Sequence, residues 1–378
     1  MQFVAWDIET DKLAPEEWND SYQDSLKRKR EGVEEVVTAA ATAAKAAKAV
    51  SERGEVLRCD AAVATASGAP PLNITVAATR CTRPDGSEEA LIWATPTEES
   101  GLTCPIPEHV YSALKTRTVK GKEGKEAQEE VHKEDRGDDA DKEVADGGGS
   151  LLCEAHMRPE DVRKMALYLE DCVKGRECVI STYNAVGFDF RVVHGILEAE
   201  GRRRIAKAGA PHEAEDAASQ YMELASRMRA LAQSEHHFDI AFSFFAHRGF
   251  MVSLAKVSEA TLGPGFEKFE ISGADAPALF TKDRLWQNTV LKYCAQDVTL
   301  QAELHKKLVD TREFKWVTKK GGVSKWKVPT VGSGPDQLAL NLGVRHSMVQ
   351  PEPNVSWMEQ YGMTPWPRSK FMGWLKEH

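Results

Sequence analysis

A chain of 378 residues, 42% hydrophobic and 28% charged, has room for two ordinary domains or for one catalytic domain carrying long insertions, and its composition excludes a wholly disordered or fibrous polymer. The formal net charge of −9 sets the global field against polyanions, so nucleic acid must be drawn in by a local basic surface and by metal ions, unless the partner is itself basic. The seven cysteines stand apart, with no C-x-x-C pair and no histidine cluster at zinc spacing, which argues against a zinc site and fits a reduced intracellular compartment.

In chain order, residues 3–8 (FVAWDI) form a mostly apolar run of strand length, placing Asp7 and Glu9 on the same side of its end. The run begins so near the first residue that no signal or transit peptide is expected, and no apolar stretch approaches the length of a membrane span. The expectation is a soluble protein of cytoplasm or nucleus with no membrane partner, or of an organelle if the chain is a processed form. Lys27-Arg28-Lys29-Arg30 fits a nuclear localisation signal or a phosphate contact, although such clusters are usually just solvated. Residues 33–50 are Ala-rich, with high helix propensity and few large side chains to pack, as in a surface helix or a disordered stretch.

Residues 72–81 (LNITVAATRC), the turn Pro84-Asp85-Gly86-Ser87 and residues 90–94 (ALIWA) read as a β-hairpin, giving with the first strand three neighbours in one sheet. Residues 120–149 are acid-rich and end in Asp146-Gly147-Gly148-Gly149; they carry too little apolar surface to offset chain entropy and read as a disordered insertion. Beyond them Pro159 stands near a helix start, and Val162, Met165, Ala166, Leu169 and Val173 recur at helical spacing. A buried strand follows at 178–181 and a helical pattern at 190–199. Residues 202–234 read as a second polar, Ala-rich insertion.

After that come residues 238–247, a Ser253-capped segment to Leu262, a Gly263-Pro264-Gly265 loop and a long helix from about 285 to 312. The order of elements predicts a mixed α/β fold with helices on both faces of the sheet and no internal repeat. The core then spans residues 1–310, interrupted near 11–60, 115–150 and 202–234, with an aromatic-rich extension at 311–378. In that extension Trp316, Trp326, Trp357, Trp366 and Trp374 stand with Lys319, Lys320, Arg368 and Lys370 interleaved among them. Such a pattern suits a stacking platform for single-stranded bases, but packing of the tail onto its own core is the favoured reading.

Three groups of residues carry chemistry. Asp7-Ile8-Glu9-Thr10 closes the first strand, where residues two apart share a face, so both carboxylates enter one space and repel unless a cation lies between them. Hard oxygen ligands suit Mg²⁺ or Mn²⁺, while a solvated strand end fits the same pair taken alone. Asn184-Ala185-Val186-Gly187-Phe188-Asp189 follows a buried strand and puts Asp189 in the first turn of a helix, as a site residue or simply as a helix-start acid. Tyr293-Cys294-Ala295-Gln296-Asp297 places a phenol and a carboxylate one helical turn apart, which an ordinary amphipathic helix also does. Asp239 precedes a helical segment and is more simply an N-cap than a further ligand, and His236 and His237 have no partner at ligand spacing.

Together and in this order, the motifs DIET, YNAVGFD and YCAQD resemble the tyrosine-bearing branch of the DEDD superfamily of 3′–5′ exonucleases, especially the proofreading exonuclease domain of family B DNA polymerases and small stand-alone relatives. The resemblance covers roughly residues 1–10, 72–95 and 158–310, and the tail is too short to hold a polymerase. It implies a ribonuclease H-like fold and two divalent cations, Mg²⁺ or Mn²⁺. Asp7 would bridge the pair, Glu9 and Asp297 would complete the first site, and Asp189 would serve the second. Tyr293 would orient or help deprotonate the attacking water, and Asn184 and Phe188 would contact or wedge the terminal nucleotides. Phe188 fits the core slightly better on position alone. The implied substrate is single-stranded DNA or RNA; the insertions offer surfaces for protein partners, and act as docking arms in the rival reading. The rival reading is a catalytically silent ribonuclease H-like binding or structural subunit of a ribonucleoprotein assembly, against which stand the four carboxylates and the tyrosine, costly to cluster without metal.

Overall fold

A computed structural model describes residues 2–11, 72–116, 150–174, 178–207, 212–266, 271, 273–318, 320–328, 343–360 and 368–376. The basic cluster at 27–30, the Ala-rich stretch at 33–50, the acid-rich stretch at 120–149, Lys319 and Trp366 lie outside these residues.

A six-stranded mixed sheet organises the described chain. Its strands are β1 (Gln2–Thr10), β2 (Ile74–Thr82), β3 (Glu88–Trp93), the short β4 (Ile106–Pro107), β5 (Cys178–Thr182) and β6 (His237–Asp239), in the order β4-β3-β2-β1-β5-β6. The strands from β1 to β4 pair antiparallel, whereas β5 runs parallel to β1 and β6 parallel to β5. The expected hairpin is β2–β3. Its turn closes through the N–H of Arg83 to the carbonyl of Ser87 and the N–H of Gly86 to the carbonyl of Arg83, and Gly86 supplies the positive φ of +83° that the turn requires.

The helices are α1 (Glu108–Ser112), α2 (Pro159–Val173), α3 (Asp189–Lys207), α4 (His212–Ala232), α5 (Ile240–Arg248), α6 (Leu254–Leu262), α7 (Ala276–Phe280) and α8 (Arg284–Thr311). Proline starts α2 where its missing N–H costs nothing, and Val162, Met165, Ala166 and Leu169 bury the stripe the sequence predicts. Asp283 caps α8 by accepting the N–H of Trp286. Side chains alternate across β1, so its two faces meet different helices. Phe3 stacks on His305 of α8 at 4.3 Å, while Trp6, on the opposite face, meets the edge of Phe190 of α3 at 4.8 Å. Helices therefore flank both faces, and β1 is buried between them.

Residues 202–234 depart from the expected insertion: α3 runs on to Lys207, and α4 is a packed helix. Ala218, Tyr221, Ala225, Met228 and Ala232 are all buried, at spacings that alternate three and four, which is a helix-packing seam written largely in alanine. Small side chains let the two helices approach closely: a Cβ on Gly201 would lie 2.8 Å from Cγ of Met222. Ion pairs tie the outer surface, with Arg227 joining Glu170 of α2 to Glu223, and Arg204 joining Glu200 to Glu160.

The C-terminal region holds a two-stranded hairpin, β7 (Glu313–Val317) and β8 (Val323–Lys327), then α9 (Val344–Met348), α10 (Ser356–Gln360) and α11 (Arg368–Lys376). Its indoles meet core rings rather than standing clear. Trp316 and Trp326 lie edge-on to Phe244, Trp357 edge-on to Phe250, and Trp374 tilts against His194. No helix among the described residues is long and apolar enough to cross a membrane.

Candidate metal centre

The site grows from the pairing of one strand with one helix. Phe3, Ala5, Asp7 and Glu9 share the face of β1 that looks at α8, and Tyr293, Asp297, Gln301 and His305 form a stripe along α8 at intervals of four. Two strand residues advance about 6.6 Å and four helical residues about 6 Å, so the two rows stay in step over their length. His305 stacks on Phe3 at one end, Nε2 of Gln301 donates to Oδ1 of Asp7 at 3.3 Å in the middle, and Tyr293 lies at the Glu9 end. Gly273 marks that end: a Cβ there would sit 3.6 Å from Oε2 of Glu9 and 3.7 Å from the Tyr293 hydroxyl.

One carboxylate oxygen from each of Asp7, Glu9 and Asp297 lies within 4.8 Å of the others. Asp297 is buried, whereas Asp7 and Glu9 are half-buried. Three acids this close repel unless a proton or a cation stands among them, and an all-oxygen donor set is the kind that hard divalent cations take. These residues are therefore able to hold one such ion. Asp189 is buried just beside them at the start of α3, where its Oδ1 accepts the N–H of Ile8 at 3.0 Å. Burial, reinforced by the charge of Asp7, pushes its carboxyl well above the usual carboxylate range. Tyr293 is buried too. Burial first, and then the charges of Glu9, Asp297 and Asp7, push its phenol far above the ordinary value, so the hydroxyl keeps its proton and acts as a donor.

The turn before Asp189 is held from several sides. Asp239 caps α5 as expected, accepting the N–H of Phe242 at 2.9 Å, but its carboxylate also accepts the N–H of Asn184 at 2.8 Å and of Val186 at 2.9 Å. Asn184 adopts a left-handed backbone, with φ of 74°, and the hydroxyl of Tyr183 donates to the carbonyl of Val252 at 2.5 Å. Asn184 and Phe188 are half-buried in this turn. The preference for Phe188 as a core residue is corrected: the core phenylalanine is Phe190, which lies fully buried against Trp6 and His237. The offset arises because α3 starts at Asp189, turning Phe190 inward and leaving Phe188 on the rim.

His237 stays outside the site, bonded to Thr182 at 2.8 Å and to the carbonyl of Ala232 at 2.9 Å, with burial holding its ring below the usual histidine range. No protein-family model, curated protein or solved structure matches the chain. The geometry itself carries the functional argument. It brings together Asp7, Glu9, Asp297, Asp189 and Tyr293, and adds three residues that motif reading missed: Gln301, the wider grip of Asp239, and Gly273. Gln301 was detectable as the next member of the Tyr293, Asp297 stripe. Gly273 carries no local signal at all.

Proposed function

We propose that the chain is a 3′–5′ exonuclease that hydrolyses the terminal phosphodiester of single-stranded DNA or RNA with two divalent cations, Mg²⁺ or Mn²⁺. The observation that carries this reading is the convergence of acids from three distant segments: Asp7 and Glu9 from the central strand, Asp297 from the helix across it, and Asp189 hydrogen-bonded to the strand between the first two. A sheet with an antiparallel hairpin on one side of β1 and parallel strands on the other resembles the ribonuclease H-like arrangement, with the acids on its central strand.

In this reading Asp7, Glu9, Asp297 and Asp189 would hold the cations, which when bound would supply a deprotonated water at neutral pH and stabilise the leaving 3′ oxygen. Gln301 steadies the Asp7 carboxylate by donating to its Oδ1 at 3.3 Å. Tyr293, held protonated, donates its hydroxyl hydrogen bond to the attacking water and orients it, rather than removing its proton. Asn184 and Phe188, both half-buried in the Asp189 turn, would contact the terminal nucleotides in this reading.

The test is incubation of the purified chain with 5′-labelled single-stranded DNA and RNA, with Mg²⁺, Mn²⁺ or EDTA. Stepwise shortening from the 3′ end with metal, and none with EDTA or with Asp7→Ala, is the expected result. Full activity in EDTA or in Asp7→Ala overturns the mechanism, and complete inactivity of the parent with either metal assigns the chain to the binding-protein reading.

A further inference from the structure

The indole of Trp374 on α11 reaches back across 188 residues of sequence to donate its Nε1–H to the carbonyl of Val186 at 2.9 Å. Val186 is fully buried, and its own N–H is already held by Asp239 at 2.9 Å. Val186 is thus pinned through both its N–H and its C=O, three residues before Asp189. Next to it Phe371, also on α11, covers Gly187 so closely that a Cβ there would lie 2.9 Å from the ring, so any larger residue forces a neighbour to move. Phe371 in turn packs on Phe245 at 4.7 Å, and Arg368 anchors the first turn of α11 by donating to the carbonyl of Ala246 at 2.9 Å.

We propose that Trp374 is a positioning residue for Asp189: its hydrogen bond to Val186 and the contact of Phe371 with Gly187 make the geometry of the candidate metal centre depend on the docking of the C-terminal helix. The physical reason is the short lever between the pinned residue and the carboxylate. Val186 sets the direction in which the chain enters α3, and that direction aims Asp189 at the N–H of Ile8 and at Asp7. Without the indole N–H the buried carbonyl loses the donor it has among the described residues, and the turn relaxes toward any conformation that finds another. A carboxylate displaced by a fraction of an ångström still folds but no longer matches a metal position. The role in metal binding rests on the exonuclease reading; the mechanical coupling does not.

The experiment separates the two. Trp374→Phe keeps a ring against His194 and removes only the N–H and part of the bulk. Amide hydrogen exchange is followed at Gly187, Phe188 and Phe190, whose N–H groups bond within the turn, and at β2 as a reference. Mn²⁺ alone is titrated into the parent, Trp374→Phe and Asp189→Asn. The expected result is exchange about fivefold to tenfold faster in the turn, the factor one lost hydrogen bond carries, with β2 unchanged. The weaker Mn²⁺ site should lose affinity by about the same factor, in the direction Asp189→Asn also moves it, while the tighter site holds.

Unchanged exchange in the turn, or acceleration spread evenly over turn and sheet, overturns the proposal. If the parent binds no Mn²⁺, the exonuclease reading fails, and exchange alone decides the coupling. Should Trp374→Phe fail to fold, Phe371→Leu is judged by the same measurements.

Discussion

The backbone N–H of Ile8 donates to the side chain of Asp189 at 3.0 Å, joining the strand that carries Asp7 and Glu9 to the first residue of α3. Ile8 points away from Asp7 and Glu9, but its peptide lies between them, so this bond ties Asp189 to the stretch of strand that carries both acids. The bond is buried, and Asp189 faces the charge of Asp7 across it. Asp189 is therefore costly to the fold as an anion, and under the proposed reading it serves the site as a ligand.

That conflict gives a prediction with opposite signs in two buffers. Asp189→Asn retains an oxygen to accept from Ile8 and removes a charge that burial disfavours. In EDTA the variant should melt at the parental temperature or about 2 °C above it, as roughly 0.5–1 kcal/mol of relieved repulsion shifts a domain of this size. In saturating Mn²⁺ the parent should gain more stability than the variant. Thermal melts in the two buffers check both halves. A variant clearly less stable in EDTA would mean that Asp189 is held by a cation of the protein itself rather than tolerated as a strained acid.

Tyr293→Phe keeps the buried ring and deletes the hydroxyl. Folding and Mn²⁺ affinity should stay near the parental values, since under the proposed reading the tyrosine orients the water rather than supplying a metal ligand. Turnover on a labelled oligonucleotide should fall roughly 10²–10⁴-fold, the range for a lost proton-handling or orienting group. Asp297→Asn should instead weaken Mn²⁺ binding along with rate. Parental turnover in Tyr293→Phe would reduce the residue to a packing role.

Gly187→Ala probes the turn from its other side. Its Cβ would fall 2.8 Å from Oδ1 of Asn184 and 2.9 Å from the Phe371 ring, so one of them must move. Both are hemmed in, and the variant should lose about 1–3 kcal/mol of stability, the usual cost of overpacking, read by urea denaturation. The double variant Gly187→Ala with Phe371→Leu should recover part of it, because leucine leaves room where the ring stood. Absence of any recovery would place the clash on Asn184 instead.

Asp7 with Glu9 and Tyr293 with Asp297 were legible as pairs because each pair obeys a local period. Asp7 and Glu9 are two apart on a strand, and Tyr293 and Asp297 are four apart on a helix, so each pair had to share a face whatever the rest of the chain did. The same holds for the hairpin, α2 and β5. What stayed hidden depends on contacts between distant residues or on packing by small side chains. Asp239 reads as a helix cap from its neighbours, and nothing nearby announces that Asn184 and Val186 also bond to it. Residues 212–232 resemble a polar insertion by composition, since a seam of alanines buries little area per residue and shows only in its spacing. Trp374 looked like any tail tryptophan, and its partner is a backbone carbonyl that no motif records.

The last prediction concerns acid stability and is independent of metal. His305 is buried, stacked on Phe3 and bonded through Nδ1 to Oγ of Ser181 at 3.0 Å, and burial holds its pKa down to about 3. A histidine depressed in the fold stays neutral there while the unfolded chain protonates near 6.5, so its stabilising share is fully present above that pH and is lost as pH falls toward 3. Each pH unit below 6.5 then costs about 1.4 kcal/mol from this residue. His237, also held low by burial, adds a loss of the same sign. His305→Gln removes the titrating group while keeping a side-chain amide near Ser181. The variant should be less stable than the parent at pH 7.5, through lost stacking, and the gap should narrow by about 1.4 kcal/mol at pH 5.5, because only the parent is still losing stability through this residue. Urea unfolding of both proteins in EDTA at the two pH values measures it. A gap that stays constant would show that the ring takes up its proton without leaving the fold, and that the space between β1, β5 and α8 is wetter than the packing of Phe3 and Phe238 around His305 implies.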